Sequence, residues 1–215
     1  MKGAVTHMSK LLYIEASPRG ERSKSSQVAK TFLEAYQKAN PGDAIEHINL
    51  WKVSLPTFDG DMLEAKYAVL SGQDQTPEQA AAWKTVSDMA EVFASADKYV
   101  ISVPMWNFSI PYKLKHYIDI ITQPGLTFSF TPEEGYKGLV SGKAVVIYAR
   151  GGAYGEGTGA EAYDMQTKAL GMHLGFMGIT DQTNILVEPT LAAPDALDST
   201  VAKAAEQAVT VAASF

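Results

Sequence analysis

The feature that most constrains this chain is the alternation of short apolar runs with amphipathic segments. Strands are predicted at residues 11–16, 45–50, 99–103, 144–149 and 184–187, and the short apolar run at 11–16 predicts a buried one. Apolar side chains at helical spacing predict helices at residues 25–39, 62–70, 80–94, 110–121, 162–174 and 196–213. Strands that alternate with helices form parallel sheets. The sequence therefore predicts an α/β fold, a doubly wound five-stranded parallel sheet with helices on both faces.

The chain length of 215 residues suits one large α/β domain. We expect that domain to span residues 9–215 and residues 1–8 to form a disordered extension, because the first apolar run follows directly. The extension lacks the apolar segment of a signal peptide. No run reaches the roughly 20 apolar residues of a membrane span. We therefore expect a cytoplasmic protein without a membrane partner.

The composition excludes several classes of binding partner and of catalytic chemistry. The 24 acidic and 18 basic residues give a formal net charge of -6, which disfavours binding to nucleic acid. The absence of cysteine excludes disulfides, a thiolate nucleophile, iron–sulfur ligation and cysteine-based zinc sites. The four histidines show no paired metal-ligand spacing, so we expect no metal site. Small molecules are the expected partners.

The loop after the first predicted strand, residues 17–25, is rich in hydroxyl and cationic side chains and reads Ser-Pro-Arg-Gly-Glu-Arg-Ser-Lys-Ser. Hydroxyl groups, the free amides of a helix N-terminus and basic side chains can together bind a phosphate. The loop has neither the G-x-G-x-x-G nor the G-K-[ST] pattern, which favours a monophosphate over a dinucleotide. The alternative is that this serine-rich turn only caps a helix.

A second loop, residues 104–109, carries two aromatic rings and reads Pro-Met-Trp-Asn-Phe-Ser. A cluster of apolar side chains in a solvent-facing loop indicates a binding surface. A flat heteroaromatic ring would fit it, with backbone N–H groups donating to ring nitrogens and carbonyls. The alternative is that Trp106 and Phe108 cover the sheet edge or take part in a subunit contact.

A third loop, residues 150–157, is rich in glycine and reads Arg-Gly-Gly-Ala-Tyr-Gly-Glu-Gly. Glycine lets the backbone come close to a ligand, although flexible connectors are also rich in glycine. In an open parallel sheet, ligands bind at the carboxyl ends of the strands, so all three loops are expected at one end of the sheet. Together they predict a site for a mononucleotide with a planar ring.

These loops resemble the FMN-dependent NADH-azoreductases, also described as NADH:quinone oxidoreductases. The resemblance covers nearly the whole chain from Met8 and extends to Leu114-Lys115, Asp119, Gly125, Thr127-Phe128, Gly138-Leu139, Leu174-Gly175-Phe176 and Gly178-Ile179. It implies a flavodoxin-like homodimer with one FMN per subunit, placed at the subunit interface. It also implies a ping-pong cycle in which NADH, as a transient donor, supplies two electrons as hydride that pass to a quinone or azo compound.

The resemblance also implies roles for individual residues. The FMN phosphate would be held by Ser17, Ser23, Lys24 and Ser25. The other cofactor-binding residues would be Pro104, Met105, Trp106, Asn107, Phe108, Arg150, Gly151 and Gly152. Phe128 and Phe130 would line the substrate pocket. No catalytic side chain is expected, because hydride transfer is the chemistry of the cofactor.

Three positions depart from the family pattern. Trp106 stands where tyrosine is common, Ala149 where serine is often found, and Phe130 where some relatives carry tyrosine. Trp106 keeps an aromatic face for the ring. Ala149, in contrast, lacks a hydroxyl that could contact it.

Two other functions suit the same fold. One is a flavodoxin-like carrier that passes single electrons to a protein partner, and the other is a regulatory module that uses flavin only as a ligand. A carrier would be expected to present a concentrated acidic docking face. Acidic and basic residues are interspersed along this chain, which favours the enzyme.

Overall fold

The structure, a computed structural model, describes residues 8–215. The strands in that range are Lys10–Glu15 (β1), Ala44–Asn49 (β2), Lys98–Pro104 (β3), Phe128–Thr131 (β4), Gly135–Gly138 (β5), Lys143–Ala149 (β6) and Asp181–Val187 (β7). The α-helices are Lys24–Ala39 (α1), Gly60–Leu70 (α2), Pro77–Ala94 (α3), Tyr112–Ile121 (α4), Met165–Met177 (α5) and Pro194–Ala212 (α6). The predicted extension falls outside the described residues except for Met8, and it stays a prediction.

Five strands form one parallel sheet in the order β2-β1-β3-β6-β7. The chain runs from β1 outward to β2 and then crosses back to β3 on the other side of β1. Strand order therefore reverses between β1 and β3, and the loops that follow these two strands diverge there. Such a switch point is where open α/β sheets bind ligands. The predicted five-stranded parallel sheet is confirmed.

Helices cover both faces of the sheet, as predicted. Alternate strand residues such as Leu12 and Ile101 pack against α2, α3, α4 and α5. Their neighbours, including Leu11 and Val100, pack against α1 and α6. Side chains alternate between the two faces of a strand, so each central strand contributes to both cores. No helix within residues 8–215 has the length and apolarity to cross a membrane.

Side-chain caps determine where several helices begin. Ser23 accepts a hydrogen bond from the Ser26 N–H at the start of α1, and Asp59 caps α2 in the same way. The predicted helix at residues 162–174 begins later, at Met165, because Asp164 accepts a hydrogen bond from the Thr167 N–H.

The antiparallel hairpin β4–β5 was not predicted and lies apart from the main sheet. It is held against the end of α5 by a close approach of two glycines. A side-chain carbon on Gly138 would lie 2.3 Å from the Gly178 nitrogen, and one on Gly178 would lie 2.2 Å from the Val140 oxygen. Gly178 also has a φ of 113°, in the left-handed region. Both positions therefore require glycine.

Candidate active site

The three loops singled out in the sequence meet at the carboxyl ends of β1, β3 and β6. They enclose a cavity of about 140 Å³ that is lined by Ser17, Arg19, Ser23, Lys24, Pro104, Met105, Trp106, Ala149, Gly151 and Thr190. Two serine hydroxyls and the basic side chains come from the first loop, the aromatic ring comes from the second, and Thr190 is contributed by the segment after β7. The structure therefore brings the three loops together, as the sequence predicts.

The first loop supplies donors suited to a phosphate group. The Ser17 and Ser23 hydroxyls are buried yet belong to residues that line the cavity. The first-turn amides of α1 have no carbonyl partner within the helix, and anions are stabilised at such helix ends. Lys24 adds a positive charge at the same place, with its Nζ atom 3.2 Å from Gln27 Oε1. This donor set fits a phosphate monoester.

Ser25 lies behind this donor set. Its side chain is fully buried, and its hydroxyl lies 3.2 Å from that of Ser23. It is not among the residues that line the cavity. The structure thus gives Ser25 a place from which it orients the Ser23 hydroxyl, and its direct contact with a phosphate stays a prediction.

The second loop folds into a tight turn with unusual backbone angles. Trp106 and Ser109 exchange two backbone hydrogen bonds of 2.9 and 3.0 Å. The two residues between them, Asn107 and Phe108, have φ values of 47° and 69°. Left-handed angles cost residues other than glycine about 1–2 kcal/mol each, and such strain is concentrated at functional sites. The turn is therefore a sign of a binding loop.

The strained turn leaves backbone donors free for a ligand. Within residues 8–215, the N–H groups of Asn107 and Phe108 donate no hydrogen bond. The Met105 N–H, in contrast, donates to the Ala149 oxygen at 2.8 Å and joins the second loop to the end of β6. The Phe108 ring is half exposed and lies 5.3 Å from the Tyr163 ring. Two free amides beside an aromatic cavity are suited to the polar edge of a heteroaromatic ring.

Trp51, which sequence reasoning missed, connects the first two loops. Its indole N–H donates to the Ala16 carbonyl oxygen at 2.9 Å, directly before the phosphate-suited loop. Its ring centroid lies 5.8 Å from that of Trp106 and 5.6 Å from that of Tyr112. Trp51 follows β2 in an irregular segment, where no periodic pattern signals a tertiary contact.

The predicted cofactor-binding residue Arg150 has a positioning role in this structure. Its side chain is only 1% exposed, with Nη1 donating to Asp164 Oδ2 at 2.8 Å and Nε lying 3.5 Å from Glu188 Oε2. Its backbone N–H and oxygen are bonded to Val187 and Thr190. Its guanidinium is thus paired with two carboxylates of the protein, although Nε donates no hydrogen bond within residues 8–215. With its backbone also bonded, Arg150 holds the start of the third loop.

The two glycines that follow lie close against neighbouring side chains, and only Gly151 is among the residues that line the cavity. A side-chain carbon on Gly151, which lines the cavity, would lie 2.9 Å from Leu191 Cδ1. One on Gly152 would lie 3.2 Å from the Tyr154 hydroxyl oxygen. Larger residues would therefore displace the Leu191 and Tyr154 side chains.

The predicted substrate-pocket residues Phe128 and Phe130 lie on the hairpin, and neither lines the cavity. Phe128 is half-buried against Phe176, with ring centroids 4.8 Å apart. Phe130 is 56% exposed and packs on Tyr136 at the same separation. One subunit alone therefore does not bring these two rings to the cavity, and their contact with a substrate stays a prediction.

Comparisons with known proteins identify the family of this chain. A family model described as a flavodoxin-like fold matches residues 9–211. The chain is 51% identical over 210 residues to the FMN-dependent NADH:quinone oxidoreductase of Nitratidesulfovibrio vulgaris strain Hildenborough, covering 97% of this chain and 100% of the relative. The chain belongs to this family of oxidoreductases. The FMN-dependent NADH:quinone oxidoreductase of Desulfotalea psychrophila is 50% identical and covers 95% of the chain and 97% of the relative.

Solved structures of the family confirm the flavodoxin-like fold. An azoreductase from Bacillus anthracis strain Sterne has a TM-score of 0.88 and 34% identity, covering 97% of this chain and 100% of that chain. An FMN-dependent NADH-azoreductase from Bacillus anthracis strain Ames Ancestor, in complex with FMN, has a TM-score of 0.84 and 32% identity, covering 95% and 100%. The family therefore includes both quinone oxidoreductases and azoreductases, as the sequence resemblance predicts.

Proposed function

We propose that this oxidoreductase binds FMN, takes hydride from NADH and reduces quinones or azo compounds in a ping-pong cycle. The observation that carries the proposal is a cavity in which phosphate-suited hydroxyls adjoin an aromatic loop with free amides. Relatives at 51% and 50% identity are named FMN-dependent NADH:quinone oxidoreductases. None of these names supports the alternative of a single-electron carrier.

The residues present fit FMN at both ends of the molecule. Ser17, Ser23 and Lys24 would hold the phosphate, with Ser25 behind them. Trp106 and Met105 would border the ring, while the free N–H groups of the next two residues are suited to its nitrogens and carbonyls. When bound, FMN supplies hydride acceptance and two-electron transfer. The protein would bind and orient it, so that the two substrates would react with it in turn.

The test is the visible spectrum of the purified protein under anaerobic conditions. We expect flavin absorbance that is bleached by NADH and fully restored by a benzoquinone, because one site serves the donor and the acceptor in turn. Initial rates should give parallel double-reciprocal lines for a ping-pong cycle. A colourless protein that neither binds added FMN nor oxidises NADH would contradict the proposed function, although not the fold.

The cytoplasmic location predicted from the sequence is part of this proposal and is tested by cell fractionation.

The protein is also proposed to act as a homodimer, with a second copy covering the hairpin and α5. Large apolar side chains are exposed on both elements and just after the hairpin, including Phe130, Tyr136, Leu139, Met165, Met172 and Phe176. Soluble monomers seldom expose an apolar patch larger than a few hundred Å². A second copy would also bring the hairpin rings toward a neighbouring cavity.

Sedimentation equilibrium tests this assembly. We expect twice the mass of one chain for the wild type and a shift toward the monomer for Tyr136→Lys, since a charge would be buried in the interface. Tyr67→Lys, on α2 and similarly exposed at 60%, is the matched control and should stay dimeric. A monomeric wild type at micromolar concentration would contradict the proposal.

A further inference from the structure

A groove of about 640 Å³ lies between α2 and α4, next to the proposed ring site. It is lined by Phe58, Lys66, Tyr112, Lys115, His116, Asp119 and Thr122. The Tyr112 ring borders the groove, and its centroid lies 6.1 Å from that of Trp106, which borders the smaller cavity. The groove is therefore separated from the ring site by about one aromatic side chain, within reach of a substrate that extends beyond the flavin.

The charged groups of the groove leave one cation without a partner. Lys115 Nζ pairs with Asp119 Oδ1 at 2.5 Å, so these two charges offset each other. His116 Nε2 lies 2.8 Å from the Pro56 oxygen and is occupied there. Lys66 forms no salt bridge with any residue in the range 8–215. The net charge of the groove lining is therefore positive.

Lys66 is held in a setting that favours an anion. It is half-buried, with Nζ 5.9 Å from the centre of the Phe58 ring. Burial lowers the pKa of Lys66, because the ammonium group has lost part of its hydration. An anion next to a partly desolvated ammonium restores the lost stabilisation. Ion pairs gain strength as the surroundings become drier.

We propose that this groove binds an anionic group carried by a planar substrate, with Lys66 as the residue that selects for the anion. The inference rests on the proposed function and extends it to the class of substrate. Aromatic walls at Phe58 and Tyr112 take the planar part, and Lys66 takes the negative charge. Two sources share this chemistry, namely a sulfonate or carboxylate on the electron acceptor and the diphosphate of NADH.

Lys66→Gln tests the proposal in the FMN-loaded enzyme. Reduction of the flavin by NADH and its reoxidation by an acceptor are measured separately by stopped flow. The acceptors are 1,2-naphthoquinone and its 4-sulfonate. For each acceptor the rate constant of the variant is divided by that of the wild type, so that the intrinsic difference in reactivity between the two quinones cancels. We expect the second-order rate constant to fall about fivefold for the sulfonate and to stay unchanged for the neutral quinone. The effect should shrink at high salt.

Two further variants sharpen the result. Lys66→Arg keeps the charge and should retain preference for the sulfonate. Lys203→Gln, an exposed lysine on α6 at the opposite face of the sheet, makes the same charge change and should have no effect. In Lys66→Gln, a fivefold fall in the rate constant for flavin reduction by NADH, with the sulfonate rate unchanged, would also support the site. It would identify the bound anion as the diphosphate of NADH.

Unchanged rates for both NADH and the sulfonate in Lys66→Gln would overturn the groove assignment. An equal loss with charged and neutral quinones would overturn it too, because the effect would then not depend on the anion. Failure of the proposed function is separate from either outcome. In that case, NADH would not bleach the flavin absorbance of the wild-type protein.

Discussion

Replacing Asn107 with proline is expected to weaken FMN binding at least about tenfold. The change removes a backbone N–H that has no partner within residues 8–215 and that the proposal directs at the ring. A lost hydrogen bond of this kind costs about 1.5–3 kcal/mol when a charged or strongly polar group is involved. Proline also fixes φ near −65°, whereas Asn107 has a φ of 47°. The turn between Trp106 and Ser109 must therefore be rebuilt.

The measurement is the dissociation constant of FMN from the apoprotein, followed by quenching of flavin fluorescence. Asn107→Gly is the matched control, since glycine keeps the amide and adopts a positive φ without strain. It should bind FMN nearly as tightly as the wild type. Circular dichroism and thermal unfolding of each apoprotein separate local from global damage. Full FMN occupancy and normal turnover in Asn107→Pro would contradict the placement of this loop.

The centre of the sheet could be predicted from the sequence because its central strands are apolar on both faces. In β3 and β6 most residues are buried, so each strand reads as an uninterrupted apolar run. The edge strand β7 was predicted only from Asn184, although it begins at Asp181. Its first residues are polar and partly exposed, and strand periodicity is weakest where one face meets solvent.

The hairpin escaped prediction because both of its strands are short and β5 is poor in strand-forming residues. Each has four residues, and β5 reads Gly-Tyr-Lys-Gly. Glycine weakens a strand, and packing on α5 compensates here. The alternation of Phe128 and Phe130, followed by a Pro-Glu-Glu-Gly turn, was the available signal.

The loops of the site were predictable, but the contacts that orient them were not. Residue types suited to phosphate and ring binding follow β1, β3 and β6 directly, and parallel strands bring their carboxyl ends together. Trp51 reaches Ala16 across 35 positions of sequence, and Arg150 reaches Glu188 across 38. Such contacts depend on the tertiary structure, which cannot be read from local sequence patterns.

Replacing Arg150 with methionine is expected to lower the free energy of unfolding by about 3–5 kcal/mol. Removal of one partner of a buried ion pair leaves the other charge without compensation, at a cost of that size. Here two carboxylates, on Asp164 and Glu188, would remain with side chains only 11% exposed. The third loop would lose its anchor at the same time, so FMN binding should weaken as well. Urea unfolding of the apoprotein measures the first effect.

The same ion pair predicts how stability depends on pH. Burial alone would raise the pKa of the Asp164 carboxyl, but hydrogen bonds from Thr167 and the Arg150 cation bring it below its ordinary value. A carboxyl with a depressed pKa in the folded state stabilises the protein above its unfolded pKa, about 4, and loses that contribution as the pH falls through the folded value. Arg150→Met should therefore show a smaller loss of stability on acidification than the wild type.

Lys84→Met provides the matched control, because it breaks a pair with Asp88 in which both side chains are more than half exposed. Exposed pairs contribute little to stability because water screens them, so this variant should unfold close to the wild type. Adding Asp164→Asn to Arg150→Met removes one uncompensated charge and should recover part of the loss. If Arg150→Met were as stable as Lys84→Met, Arg150 would not anchor the third loop. The predicted direct contact of Arg150 with the cofactor would then be the better account of its place beside the site.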